Sequence, residues 1–199
     1  HNGPIILPVV HVQNPQQAIK NIQIIKDANC KGCFLINHNF SAVKLFMILV
    51  EIRKRFPISD DFKIGVNFLA TPLRAALPIL HELQEEFDCK IDFYWSDNAE
   101  INPNYFKQDQ DVGIWTKEEY FKYKWRGAVF GGVCFKKQTK IHKSQCRSSA
   151  IAAADYMSVV TTSGVATGES ADLTKVKEMG QSVGYEKLAI ASGIAIDNV

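Results

Sequence analysis

Met157-Ser-Val-Val-Thr-Thr-Ser-Gly164 and Lys187-Leu-Ala-Ile-Ala-Ser-Gly193 are the stretches whose reading decides the fold. Each drives an apolar, strand-like run into Ser-Gly, and the first is followed by an amphipathic helical pattern from Asp172 to Val183. A parallel strand that ends on small residues before a helix offers backbone N–H groups and the positive end of a helix dipole to an anion. The two runs therefore read as successive βα units.

The same rhythm extends toward the N-terminus. Ile5 to Val12, Gly32 to Ile36, Phe62 to Leu69, Ile91 to Trp95 and Ala128 to Phe135 read as strands, joined later by Ser158 to Thr162 and Leu188 to Ala191. Between them, Asn14-Pro15 caps a helix with Ala18, Ile22 and Ile25 on one face. Ser41 caps a second helix, whose inner face is expected at Val43, Phe46, Met47 and Val50. Thr71-Pro72 supply N-cap and N1 for a third, and Ser144 to Asp155 is an Ala-rich helix. Seven βα repeats in order favour a (β/α)8 TIM barrel as one domain over residues 1–199, with the eighth repeat expected beyond Val199, since such barrels usually take about 250 residues.

Residues 97–127 interrupt the pattern. They hold two of the three tryptophans and are expected to form an irregular excursion with one helix at Lys117 to Tyr123. Long excursions in such barrels often cover the mouth of the active site.

Composition excludes several classes. With 46% hydrophobic and 22% charged residues, the chain is expected to be an ordinary globular protein. Its net charge of +2 is dispersed; Arg53-Lys54-Arg55 and the stretch Lys136 to Lys143 are short, read as a solvated helix end and a loop, so no nucleic-acid partner is expected. No apolar run approaches the roughly 18 residues of a membrane span. The N-terminal run carries two prolines and no basic segment, so no signal peptide is expected there. Five cysteines, an odd number, suggest reduced thiols in a cytoplasmic protein. Cys30-Lys-Gly-Cys33 lies where a helix hands over to a buried strand, and no second motif completes a metal set.

In a barrel the strand tips share one mouth. Polar residues follow the apolar runs there: His11, Asn37, Asn67, Asp97, Lys136, Ser163 and Ser192. Asp97, Lys136 and His11 are the candidates for moving protons, with Glu169 next. Pleating sends only one of Lys136 and Lys137 inward, and that lysine suits a phosphate ligand or a Schiff-base nucleophile. The loop Thr162-Ser-Gly-Val-Ala-Thr-Gly-Glu169 is neither a Walker A nor a GxGxxG sequence. Its Gly164 and Gly168 permit close backbone approach, and Ser163 and Thr167 offer hydroxyls. Ser192 and Gly193 extend the set, with Asn37 and Asn67 as further ligand-binding candidates.

Four runs, Val159 to Gly168, Ala189 to Val199, Gly32 to Asn37 and Phe130-Gly-Gly-Val-Cys-Phe-Lys136, together resemble the BtpA-like family. That resemblance implies a ribulose-phosphate-binding type of (β/α)8 barrel, with a role in photosystem assembly or sugar metabolism among its members. The leading expectation is an enzyme that binds a small phosphorylated metabolite, a sugar phosphate or nucleotide, with no cofactor specified. A bulky residue at Gly193 is then expected to abolish binding in a protein that still folds. The rival is a non-catalytic scaffold that grips a protein partner through Tyr105, Phe106, Trp115, Tyr120, Phe121 and Trp125 of the excursion. Homo-oligomerisation through that segment is compatible with either.

Overall fold

The computed structural model describes residues 3–59, 61–136, 138 and 140–195, apart from the Lys117 side chain. Lys137 and the run from Ile196 to Val199 lie outside the described residues. The chain divides into two compact units, residues 1–95 with 122–127, and residues 96–121 with 128–199.

The first unit alternates β1 (Val9–Val12), α1 (Pro15–Asp27), β2 (Gly32–Asn37), α2 (Ala42–Arg55), β3 (Lys63–Asn67), α3 (Leu73–Phe87) and β4 (Phe93–Ser96). Each strand pairs parallel with the next, in registers such as Val10 with Leu35, Leu35 with Val66 and Val66 with Tyr94. All six residues of β2 are buried. A strand covered on both faces needs a continuous apolar run, which Cys33-Phe-Leu-Ile36 supplies.

Caps set the helix starts. The Asn14 side chain accepts a hydrogen bond from the Gln17 N–H ahead of Pro15, and Ser41 accepts one from the Lys44 N–H. In α3 the boundary shifts by one residue from the sequence reading: Pro72 occupies the N-cap position and Leu73 opens the helix, without a side-chain cap. In α2 the buried face is Leu45, Phe46, Ile48, Leu49, Ile52 and Arg53, whereas Val43 and Met47 are exposed. The helix is apolar on several sides, so periodicity alone did not choose its inner face. Burying each of these aliphatic side chains stabilises the unit by roughly 1.5–3 kcal/mol.

Arg53 corrects another expectation, for it is buried and not part of a solvated basic end. Its Nη2 lies 2.6 Å from Asp92 Oδ2, and its Nε donates to the Lys90 carbonyl at 2.7 Å. Asp92 Oδ2 also accepts from the Ile64 N–H at 2.9 Å, so the carboxylate secures the entrance of β3.

The second unit holds β5 (Ala128–Gly132), β6 (Val159–Thr162) and β7 (Leu188–Ile190), again parallel in chain order, with α5 (Cys146–Ala153) and α6 (Leu173–Val183). The excursion is more ordered than expected. It contains a 3-10 turn at Lys107–Asp109, and α4 runs over Asp111–Tyr123, six residues earlier than its sequence reading. Gly113 concealed that start by its low helix propensity. It is placed where a Cβ would lie 2.1 Å from the Tyr156 ring. Buried Gln110 closes the preceding loop by donating to the Asn102 carbonyl and accepting from its N–H, both at 2.9 Å.

Cys134 and Cys146 are joined by a disulfide, which corrects the reading of uniformly reduced thiols. The cysteines lie 12 residues apart in sequence and 5.9 Å apart at Cα, and the turn after β5 brings them together. Spacing alone gave no sign of it. Cys30, Cys33 and Cys89 are free.

The α/β class and seven parallel strands are as the sequence indicated. Seven strands are what that reading expected of this stretch of chain, and among the described residues they form one sheet in the order β1 to β7, without showing a full barrel.

Candidate functional site

At the strand tips of the first unit, the His11 and His38 rings stack with centroids 4.6 Å apart and planes inclined by 20°. Partial burial, and secondarily the neighbouring charge of His38, hold His11 below its ordinary value. Asn37 joins two tips. Its Nδ2 donates to the Phe40 carbonyl at 2.7 Å, and its Oδ1 accepts from the Leu69 N–H at 3.0 Å. The side chain thus fixes the turn after β2 and the exit of β3. Asn67, at the end of β3, is 1% exposed. At the opposite, N-terminal ends of β2 and β3, Lys26, Lys31, Asp61 and Phe62 line an open depression, with the Lys26 ammonium 5.4 Å from the centres of both the Phe56 and Phe62 rings. It lies away from the tips where a parallel α/β fold places its chemistry.

The second unit gathers the larger set. From the turn after β5, the Lys136 backbone N–H donates to Ser163 Oγ at 3.0 Å, and its Nζ reaches Ser192 Oγ at 2.8 Å. One residue thereby links the tips of β5, β6 and β7. Ser163 is fully buried and its hydroxyl donates to the Gly164 carbonyl at 2.8 Å. Ser192 has φ +67, a left-handed conformation that a non-glycine residue keeps only when its surroundings hold it.

The glycines divide into two kinds. A Cβ on Gly164 would lie 2.3 Å from the Glu169 carbonyl oxygen, and one on Gly193 would lie 2.2 Å from the same atom. Their missing side chains admit the chain's own loop, which the Ser170 hydroxyl holds by donating to the Gly193 carbonyl at 3.2 Å. Gly168, at φ +87, has nothing near its Cβ position, and it and Thr167 are exposed at the turn. Of the glycine loop, this turn is the part open to a ligand.

Asp97 follows β4, its backbone carbonyl packed where a Cβ on Gly132 would sit. Glu169 contributes its backbone to the glycine contacts, and its side chain is exposed.

Sequence reasoning missed Lys175. Its Nζ donates to the Ser163 carbonyl at 2.6 Å and to the Cys134 carbonyl at 3.2 Å, bracing two strand tips from the first turn of α6. Burial lowers its pKa. The only signal was local: Asp172, three residues earlier, caps α6 by accepting from the Lys175 N–H at 3.0 Å. The hydrogen bond from Lys143 beside it, at 2.9 Å, is the main reason the Asp172 carboxyl is held down at about 2. Among the described residues no group of three or more His, Cys, Asp or Glu side chains is placed to hold a metal.

No family model matches the chain, and no curated protein matches it. Solved structures do. A member of the enolase superfamily from Enterococcus faecalis superposes with TM-score 0.54 at 11% identity, over 94% of this chain and 42% of that one. The muconate lactonizing enzyme of Pseudomonas putida gives 0.60 at 8%, over 94% and 46%. The 3,6-anhydro-D-galactonate cycloisomerase of Zobellia galactanivorans gives 0.59 at 13%, again over 94% and 46%.

At these identities the likeness is one of fold, and the chain spans less than half the length of each of these structures. The BtpA-like resemblance is corrected by these findings, since no family model supports it and the structural neighbours are enolase-superfamily proteins. Two of the four runs are strand ends with Ser-Gly and the other two are apolar strand segments, patterns that recur wherever a buried parallel strand must turn tightly toward a helix. They report architecture more than kinship.

Proposed function

We propose that the chain is an enzyme, built as one (β/α)8-type domain, that binds a small phosphorylated metabolite such as a sugar phosphate or nucleotide at the strand tips of its second unit. The observation that carries this reading is the bond from Lys136 Nζ to Ser192 Oγ, with the Lys175 ammonium on the neighbouring Ser163 carbonyl. Two cations fixed at adjacent strand tips create a positive field where an anion would dock. Thr167 and the Gly168 N–H, on the exposed turn, complete the phosphate contacts, and Asp97 and Lys136 move protons. His11 is the proton-exchanging group of the first unit. The enolase-superfamily names among the structural neighbours support an enzyme in general, and do not specify this substrate.

Thermal denaturation with inorganic phosphate, ribose phosphates, nucleotides and sugar acids tests the reading. A ligand at 100 times its dissociation constant adds about 2.7 kcal/mol of stability. A shift with one phosphorylated compound supports the proposal. A shift confined to sugar acids keeps an anion site and replaces the substrate class.

A second reading is favoured by the excursion, where Tyr105, Phe106 and Phe121 are 50%, 74% and 86% exposed. Trp125 is buried and is core. A folded protein that responds to none of these ligands is then a scaffold, with those rings as its grip on a protein partner. The cytoplasmic setting belongs to the same proposal. No helix among the described residues is long and apolar enough to cross a membrane.

A further inference from the structure

We infer that Cys134 and Cys146 form a redox-modification site that a dithiol reductant opens, and that opening it releases the segment carrying Lys136. The consequence for ligand binding rests on the function proposed above; the chemistry of the cysteine pair does not.

The two sulfurs differ in access. Cys134 is half-buried, whereas Cys146 is 3% exposed at the start of α5, which continues from a 3-10 turn at Lys143–Gln145. An attacking thiolate therefore meets Cys134 Sγ, and the electron pair of the broken S–S bond leaves on Cys146 Sγ. The second thiol of the reductant then attacks its own sulfur in the mixed disulfide and releases Cys134. Two electrons pass to the protein, the two protons of the dithiol end on Cys134 and Cys146, and the reductant leaves as a disulfide.

The remaining cysteines of the core do not compete. Burial pushes the Cys33 thiol up to about 12 and Cys89 up to about 11, which keeps both protonated and unreactive.

Opening the bond reaches the site through Cys134. Its backbone holds φ +50, and its carbonyl accepts hydrogen bonds from Lys175 Nζ at 3.2 Å and Thr162 Oγ1 at 3.4 Å. Lys136 lies two residues further along the same closed loop. With the cross-link cut, the loop regains the freedom its closure had removed, and the turn that aims Lys136 at Ser192 is held by hydrogen bonds alone.

The test equilibrates the full chain against mixtures of reduced and oxidised dithiothreitol, followed by alkylation mapping, amide hydrogen exchange and acylation of Lys136 by acetic anhydride. The expected result is one transition that exposes Cys134 and Cys146 together to alkylation, with Cys33 and Cys89 untouched. Exchange across residues 134–146 and acylation of Lys136 should each accelerate by about tenfold or more. The Cys134→Ser/Cys146→Ser double variant should match the reduced protein. Alkylation of both cysteines without reductant overturns the inference. So does a reduced protein whose exchange and Lys136 reactivity stay within twofold of the oxidised form. Failure of phosphate to bind either form overturns the proposed function and leaves the redox site standing.

Discussion

The Lys175 ammonium lies 2.6 Å from the Ser163 carbonyl oxygen, so a helix-borne cation braces the tip of β6 from the first turn of α6. Burial lowers the pKa of this amine from the ordinary lysine value of 10.5. A group whose pKa is lower folded than unfolded binds more protons in the unfolded chain, so stability rises with pH between the folded value and 10.5. Lys175→Met should flatten that rise. Urea denaturation of both proteins at stepped alkaline pH measures it.

Arg53→Met should be strongly destabilising, because it leaves the Asp92 carboxylate buried without its cation. Breaking a buried pair in this way costs about 3–5 kcal/mol. Paired replacement of Arg53 and Asp92 by apolar residues should recover part of that loss, although the Ile64 N–H then loses its acceptor. Denaturant midpoints of the single and double variants give the comparison.

His38→Gln should raise the titration midpoint of His11, since it removes the neighbouring like charge, and should leave it below 6.5 because burial persists. Ring-proton NMR across acid pH reads the shift. The lowered pKa also means that the His11 contribution to stability grows with pH through the window just below 6.5, and is unfavourable on the acid side.

Gly193→Ala and Gly168→Ala should separate packing from backbone strain. Both glycines have positive φ, but only the Cβ of the first meets the Glu169 backbone. Gly168→Ala should cost about 1 kcal/mol and Gly193→Ala clearly more, in the range of about 1–3 kcal/mol or above. A bulky Gly193 variant therefore perturbs folding as well as binding, contrary to the sequence expectation. Gly168 is the informative position for ligand contacts.

Much of the architecture was legible because burial in a parallel sheet leaves a direct trace. Cys33-Phe-Leu-Ile36 is apolar because both of its faces are covered, and Asn14 and Ser41 are caps because helix starts need acceptors. The inner face of α2 was not legible, since apolar residues surround it. The start of α4 was hidden by Gly113. Lys136, Ser163 and Ser192 could be nominated from their place after strands, but their mutual contacts span up to 56 residues of sequence. Lys175 and the cysteine pair depend on turns whose geometry no local pattern encodes. Family was the least legible of all, because Ser-Gly at a strand tip is a requirement of the turn.

Calorimetric titration of ribose 5-phosphate into the wild-type protein and into Lys136→Met tests the central claim most directly. Loss of a charged hydrogen bond is worth about 1.5–3 kcal/mol, so the account predicts roughly ten- to a hundredfold weaker binding in a variant that melts near the wild-type temperature. Equal affinity in the two proteins, or no heat from either, would contradict it.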